Sequence, residues 1–345
     1  MHAIRVAEFG DPSVMVLASA PDLVPAPGQV VVNLAAAGVN PVDTYIRAGT
    51  YAHKPTLPYI PGIDGAGTVA AVGEGVTTWR VGDRVYGGWP LSGTYADSAL
   101  YAADQLYPLP DTLAIAHGAG VFVPYSTAYR ALFQKAQAQP GETVLIHGAT
   151  GAVGLAATQL AIAAGLTVLG TGGTAAGRDI VAQQGAAHVL DHHQPDYLAQ
   201  VRHLTGGRGV DVVIEMLANV NLGHDLSILA PGGRVVIVGN RGDATLNPRD
   251  LMACDGQIMG FTLFNTPPDA LARIQPALFA GLKARTLRPI IQAEFPLAQA
   301  PDAHEAVLAP GSHGKILLIP SGDRGHSRIV EKTADGESNG ITTPC

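Results

Sequence analysis

Three glycines at a spacing of three, Gly148, Gly151 and Gly154, join an apolar run, Val144 to Ile146, to a segment of helical composition, Leu155 to Ala164. A strand–glycine turn–helix unit turns a row of free backbone N–H groups and a positive helix end toward a pyrophosphate. The chemistry this serves is that of a bound dinucleotide. Ala149 stands where the first glycine of the usual pattern sits. The turn gains its weight from the strand before it, the helix after it and the βαβ pattern that continues. A site for NAD has Asp or Glu about 20 residues further on, at the end of the second strand. Here that place reads Val168-Leu-Gly-Thr-Gly-Gly-Thr-Ala-Ala-Gly-Arg178, with no carboxylate before Asp179. The small residues leave room for a phosphate, Arg178 can pair with one, and Thr171 and Thr174 can offer hydroxyls. Arg178 reads equally well as a solvated helix-face residue. The missing acid favours NADPH over NADH.

The second stretch with chemical content is Asn40-Pro-Val-Asp-Thr-Tyr-Ile-Arg-Ala-Gly-Thr-Tyr51. It sets Asn40, Tyr45 and Tyr51 beside a turn, where functional residues gather. Each alone reads more readily as a packed aromatic or a turn former. Metal chemistry has few candidates. Cys254 and Cys345 are the only cysteines, too few for a four-thiolate zinc lobe or a disulfide framework. The neighbouring His192 and His193 do not converge easily on one ion. The chain has no Tyr-x-x-x-Lys pair, so it does not look like a short-chain reductase.

These stretches need elements to hold them. The length of 345 residues suggests two domains. Residues 1 to about 120 show short strand-like runs, such as Gln29–Leu34, Gly67–Val72 and Asp83–Tyr86, between Gly and Pro turns. That texture predicts a mainly β, barrel-like domain. A helix near Phe122–Leu132 leads out of it. From 143 onward strands alternate with helices. Strands are expected at 143–147, 166–170, 187–190, 210–215, 234–239 and 257–262, and helices at 153–164, 175–184, 197–205 and 222–229. The alternation predicts a doubly wound parallel α/β sheet. A helix from Asp269 to Lys283, a strand near Ile290, a helix from Ala298 to Leu308 and a strand from Gly314 to Ile319 follow, and these can close back onto the first domain. Residues 321–345 lack aromatic residues and read as a disordered tail. Charged residues make up 14% of the chain and the net charge is -7, which disfavours RNA and other phosphate backbones. No stretch has the length of a membrane span, and no signal peptide is evident. A cytoplasmic protein is expected.

The residues now gathered resemble the medium-chain dehydrogenase/reductase superfamily, and within it the ζ-crystallin-type NADPH:quinone oxidoreductases. The resemblance is carried by Ala37–Tyr51, Pro124–Leu132, His147–Gly154, Glu215–Leu222 and Gly232–Arg241. It spans roughly residues 1–319, and the Glu215–Leu222 run is specific to the subgroup. It implies a Rossmann NADPH-binding domain over 124–264 and a GroES-like catalytic domain over 1–123 and 265–320. By the same resemblance, cofactor contacts carry over to Tyr45, Thr150, Gly151, Ala152, Val153, Gly173, His192, Asn221, Val238, Gly239, Asn240, Arg241, Phe261, Thr262 and Leu263. Arg178 joins them as the candidate for the 2′-phosphate. Asp179 stands where the family often has Lys, which leaves that partner open. Zinc-dependent alcohol dehydrogenases of the superfamily hold their metal with Cys and His. At the matching places this chain has Asn40 for the Cys and Ile63-Asp64 for a His-Glu pair, so no metal is expected.

A quinone is a strong electrophile and needs no Lewis acid; the protein's part is mostly orientation. Tyr45 and Tyr51 are expected to line the cleft and Asn40 to help position the nicotinamide, with no certain proton donor. The resemblance implies NADPH-dependent quinone reduction, with one-electron steps to a semiquinone among its routes. It also implies a homodimer or homotetramer, for which the strand at 257–262 is a candidate edge. Two alternatives stand beside it. One is reduction of activated C=C bonds in enones or enoyl thioesters. The other is a structural or RNA-binding role of the ζ-crystallin kind.

Overall fold

The computed structural model describes residues 1–320, and the tail expected over 321–345 lies outside the described residues. A hairpin of β1 (His2–Val6) and β2 (Met15–Ser19) opens the chain. Then come β3 (Gln29–Val39), helix α1 (Pro41–Arg47), β4 (Asp64–Val72), β5 (Arg84–Gly87), β6 (Ser98–Ala102) and β7 (Leu106–Pro108). The long strand β3 is the hub. It pairs antiparallel with β4 and β6, and its Val and Ala side chains are buried along most of its length. Helix α2 (Phe122–Tyr129) runs into a π-helical stretch, Arg130–Lys135, and leads to the second sheet.

That sheet is built from β8 (Thr143–Ile146), α3 (Ala152–Ala163), β9 (Thr167–Thr171), α4 (Ala175–Gln183), β10 (His188–Leu190) and α5 (Tyr197–Leu204), followed by β11 (Val210–Glu215), α6 (Ala218–Asp225), β12 (Leu229–Ile237), α7 (Pro248–Ala253) and β13 (Gln257–Gly260). All its pairings are parallel, in the order β10-β9-β8-β11-β12-β13. Helices cover both faces, so central strands are buried on both sides: every residue of β11 is buried, Asp211 and Glu215 included. The order reverses between β8 and β11, which opens a crevice at their carboxyl ends.

The chain then returns. Helix α8 (Pro268–Lys283) is followed by β14 (Ile291–Pro296), α9 (Ala300–Leu308) and β15 (Lys315–Ile319). β15 pairs antiparallel with β3 and parallel with β14. The first sheet therefore has the order β14-β15-β3-β4-β5-β7, with β6 also on β3. The last described strand thus lies inside the first sheet, next to the strand that leads into α1.

Three expected elements shift. The helix expected at 222–229 begins four residues sooner, as α6, and gives way to a 3-10 turn at Leu226–Ile228. The backbone N–H of Leu217 donates to the Glu215 carboxylate, which ends β11 and starts the helix early. β12 stops at Ile237 rather than 239, because the N–H groups of Val238 and Gly239 turn to the carbonyl of Glu215, at 2.8 and 3.2 Å. β13 stops at Gly260, so Phe261 and Thr262 lie beyond its carboxyl end. No described helix is long and apolar enough to cross a membrane.

Candidate functional site

The glycine turn lies at the crevice. Gly148 takes φ +55°, a value that suits glycine. Its N–H donates to Thr171 Oγ1 at 3.1 Å, and the N–H of Ala149 donates to Thr171 O at 2.9 Å, which fastens the turn to β9. Gly151 caps α3 with extended backbone and no side-chain bond, and its carbonyl accepts the first helical bond from Leu155 N at 2.8 Å. The N–H groups of Ala152, Val153 and Gly154 therefore lack an acceptor within the helix and stand at its positive end. Gly151 and Gly154 differ in purpose. A Cβ on Gly154 would stand 2.5 Å from Gly148 O, so helix and turn can pack only without it. A Cβ on Gly151 would meet nothing nearer than Gly148 O at 3.6 Å. The space before Gly151 is an open cradle rimmed by N–H groups that make no helical bond, which fits the diphosphate of a dinucleotide.

One flank of the cradle is formed by Gly173, Arg178 and His192. A Cβ on Gly173 would come within 3.1 Å of His192 Nε2 and 2.7 Å of His193 Cε1, so both imidazoles lie against it. Their ring centroids are 4.6 Å apart. Burial holds the His192 imidazole below its ordinary range. Arg178 Nη1 reaches Asp191 Oδ2 and Gly172 O, both at 3.1 Å. The two threonines considered for hydroxyl contacts have internal partners: Thr171 is buried beneath Gly148, and Thr174 Oγ1 accepts from Gly177 N at 3.1 Å. Asp179 is exposed.

The other flank follows β11 and β12. Asn221, on α6, donates from Nδ2 to Glu215 Oε1 at 3.2 Å. Val238 and Gly239 are half-buried, while Asn240 and Arg241 are exposed. A Cβ on Gly239 would strike Met216 O at 2.3 Å. Under this flank lies a group that sequence reading did not find. His147 Nε2 is 2.8 Å from Asp225 Oδ1 and 3.6 Å from Glu215 Oε2, and all three side chains are buried. Burial pushes both carboxyls up, to about 7, and pushes the His147 imidazole down. The His147 imidazole pairs with Asp225, the raised carboxyls favour a proton held on the acidic pair, and Glu215 Oε2 and Asp225 Oδ2 are buried without a hydrogen-bond partner.

The facing wall comes from the first sheet. Asn40 starts α1: its backbone N–H donates to Asp43 Oδ2 at 2.8 Å. Its side chain, expected to help position a nicotinamide, is 4% exposed and turned inward. Asn40 Oδ1 accepts from Lys315 Nζ at 2.6 Å, and Nδ2 donates to Asp64 Oδ2 at 3.1 Å. Tyr45 sits half-buried on α1. Tyr51 reaches the segment that follows β13, its hydroxyl 3.3 Å from Thr262 Oγ1. Phe261 stacks under Arg130, whose guanidinium carbon is 5.4 Å from the ring centroid, and Leu263 is buried. Around Tyr51 stands an aromatic group that the sequence reading missed. His53 stacks on Phe264 at 5.2 Å, Tyr51 and Trp89 each lie 5.7 Å from Phe264, and a cavity of about 880 Å³ opens on His53, Trp89 and Phe264. Trp89 holds φ +54°, a strained value for a bulky residue, and its buried indole N–H has no partner. Phe264 adjoins the Phe261–Leu263 run and was within reach of sequence reasoning. Trp89 carried no signal beyond its rarity.

The places where zinc dehydrogenases hold their metal do not fit one here. Ile63 offers no donor atom, and Asn40 and Asp64 are both engaged by the ammonium of Lys315.

The comparisons with known proteins agree with this geometry. The family described as "Alcohol dehydrogenase GroES-like domain" matches residues 26–111, and "Zinc-binding dehydrogenase" matches 152–276. The quinone oxidoreductase of Homo sapiens is 46% identical over 323 residues, covering 92% of this chain and 98% of the relative. That of Rattus norvegicus is 48% identical over 322 residues, with the same coverage. The chain belongs to the ζ-crystallin-type quinone oxidoreductase family. The structure of Escherichia coli quinone oxidoreductase complexed with NADPH superimposes with a TM-score of 0.84, at 30% identity, over 93% of this chain and 100% of that one. Family membership extends over both sheets, because the aligned span takes in the glycine turn and the tyrosine wall alike.

Proposed function

We propose that this protein is an NADPH-dependent quinone reductase that works without a metal ion. The observation that carries the reading is the start of α3, free of a side-chain cap, tied through Gly314 to a first sheet in which a lysine engages the metal-ligand places. NADPH, when bound, supplies the hydride. The chain's residues bind and orient. The N–H groups of Ala152, Val153 and Gly154 hold the diphosphate, with Thr150 and Gly151 shaping the turn. Gly173 and His192 border the adenosine half. Arg178, already turned toward Gly172 O, is the candidate for the 2′-phosphate, where it exchanges or shares its pairing with Asp191. Asn221, Val238, Gly239, Asn240, Arg241, Phe261, Thr262 and Leu263 edge the nicotinamide half. Tyr45 and Tyr51 line the acceptor side, and the rings of His53, Trp89 and Phe264 give it an apolar, flat-sided surface suited to a planar acceptor. Asn40 acts from behind the wall by holding α1.

The family membership and the names of the relatives support quinones over enones. The net charge of -7 speaks against an RNA role. The domain boundaries proposed are 1–123 with 265–320, and 124–264. A cytoplasmic homodimer or homotetramer is the proposed state, with β13 exposed at the sheet edge for pairing. Purified protein assayed with NADPH against a panel of naphthoquinones, benzoquinones, enones and enoyl thioesters tests the proposal. Turnover confined to quinones supports it. Turnover confined to enones or thioesters replaces it with the double-bond reductase.

A further inference from the structure

Lys315 is the first residue of β15 and is buried, with its side chain 2% exposed. Its ammonium lies 2.6 Å from Asn40 Oδ1 and 2.6 Å from Asp64 Oδ2. Asp64 is fully buried, and its other oxygen accepts from Val123 N at 2.9 Å. The lysine stem reaches this cage through a notch at Gly38. A Cβ there would stand 2.6 Å from Lys315 Cε and 2.1 Å from Ala119 O. The chain thus carries its own cation to the two polar residues that occupy the superfamily's metal-ligand places.

Burying an ammonium and a carboxylate loses their hydration, and a buried pair is weak support for stability compared with well-packed apolar side chains. What a buried pair does supply is a fixed position. Here that position matters on both walls of the cleft. Asn40 caps α1, which bears Tyr45 and leads to Tyr51. The residue just before Lys315 holds the opposite wall: Gly314 N donates to Thr150 O in the glycine turn at 2.8 Å. Two successive residues therefore pin the nucleotide turn and the tyrosine wall to one strand end.

We propose that Lys315 is a positioning residue for the reaction, whose ammonium, set where relatives hold a metal, fixes Asn40 and α1 so that Tyr45 and Tyr51 face the glycine turn. The proposal rests on the reading of this cleft as a nicotinamide-dependent reductase. Lys315→Met alone leaves the Asp64 carboxylate buried and unpaired, so it is expected to lower the melting temperature. Lys315→Met combined with Asp64→Asn removes both charges at nearly constant volume and is the variant that decides. Three quantities are measured on it: turnover of a naphthoquinone, NADPH affinity by fluorescence titration, and amide hydrogen exchange. The expected result is a kcat lowered by about tenfold or more with NADPH affinity changed by less than about threefold. Faster exchange confined to 40–51 accompanies it, with the Rossmann strands unchanged. Wild-type kcat together with wild-type exchange at 40–51 would overturn the proposal and reduce Lys315 to a core ion pair. Should the unmutated protein bind NADPH and reduce no quinone, the functional reading fails. Hydrogen exchange over 40–51 still decides whether Lys315 sets α1.

Discussion

Replacing Gly151 by valine tests the cradle itself. The backbone there is at φ -70° and ψ 166°, which any residue adopts. The added Cβ meets only Gly148 O, at 3.6 Å. The fold should therefore tolerate the change. The expected loss is about 1 kcal/mol, for putting a poor capping residue at a helix start, and the melting temperature should fall by only about 2–4 °C. Binding should suffer far more. The branched side chain fills the space that a diphosphate needs to reach the N–H groups of Ala152 and Val153. Losing two charge-assisted hydrogen bonds at about 1.5 kcal/mol each removes about 3 kcal/mol, or roughly 150-fold in Kd. Fluorescence titration with NADPH reads the affinity, and thermal melting reads the fold. Gly154→Ala is the opposite control: its methyl falls 2.5 Å from Gly148 O, so the turn must move and the melting temperature should drop well below that of Gly151→Val. If Gly151→Val melts like the parent and binds NADPH within about threefold of it, the diphosphate does not sit on this turn.

Other expectations are more local. Tyr51→Phe removes the hydroxyl that lies 3.3 Å from Thr262 Oγ1. It should lower quinone turnover several-fold and leave NADPH affinity nearly unchanged in the same titration. Arg178→Gln should cut the preference for NADPH over NADH by about tenfold, roughly 1.4 kcal/mol for one weakened phosphate contact; an unchanged ratio of the two affinities would place the 2′-phosphate elsewhere. The carboxyl of Asp225 is raised by burial from 3.8 to about 7. The folded protein therefore keeps a proton that the unfolded chain has already lost between those values. This contribution to stability is complete below pH about 4 and is lost as pH rises through about 7. Asp225→Asn, whose amide can replace the shared proton toward Glu215, should gain about 2–3 kcal/mol on the parent between pH 5 and pH 8. Urea melts at both values check it, and a constant difference between the two proteins would show that the pair does not hold the proton.

The parts of the molecule legible in the sequence are those set by neighbours along the chain. The glycine turn declares itself because strand, turn and helix are consecutive, and the parallel sheet because short apolar runs such as Thr143–Ile146 alternate with helical segments. The start of α6 was harder. Asn219, Asn221 and Gly223 are weak helix formers, and the bond from Leu217 N to the Glu215 carboxylate that opens the helix leaves no mark on the apolar pattern. The tyrosine wall was visible as a loaded loop, but its internal support was not. Lys315 lies 275 residues from Asn40 and 251 from Asp64, and nothing local marks a lysine near the end of the chain as buried. His147 and Asp225, 78 residues apart, meet only because the parallel order of the sheet sets β8 beside β11. The absence of Cys and His from the metal places was readable; the cation that takes their surroundings was not.

The reaction proposed for this cleft is reduction of quinones by NADPH without a metal. It is tested most directly by dialysing the protein against a strong chelator, confirming by elemental analysis that it is free of zinc, and following NADPH oxidation with a naphthoquinone, with NADH in parallel. Undiminished turnover in the metal-free protein and a clear preference for NADPH are the expected result. Loss of turnover on chelation that zinc restores, or equal use of NADH, would contradict it.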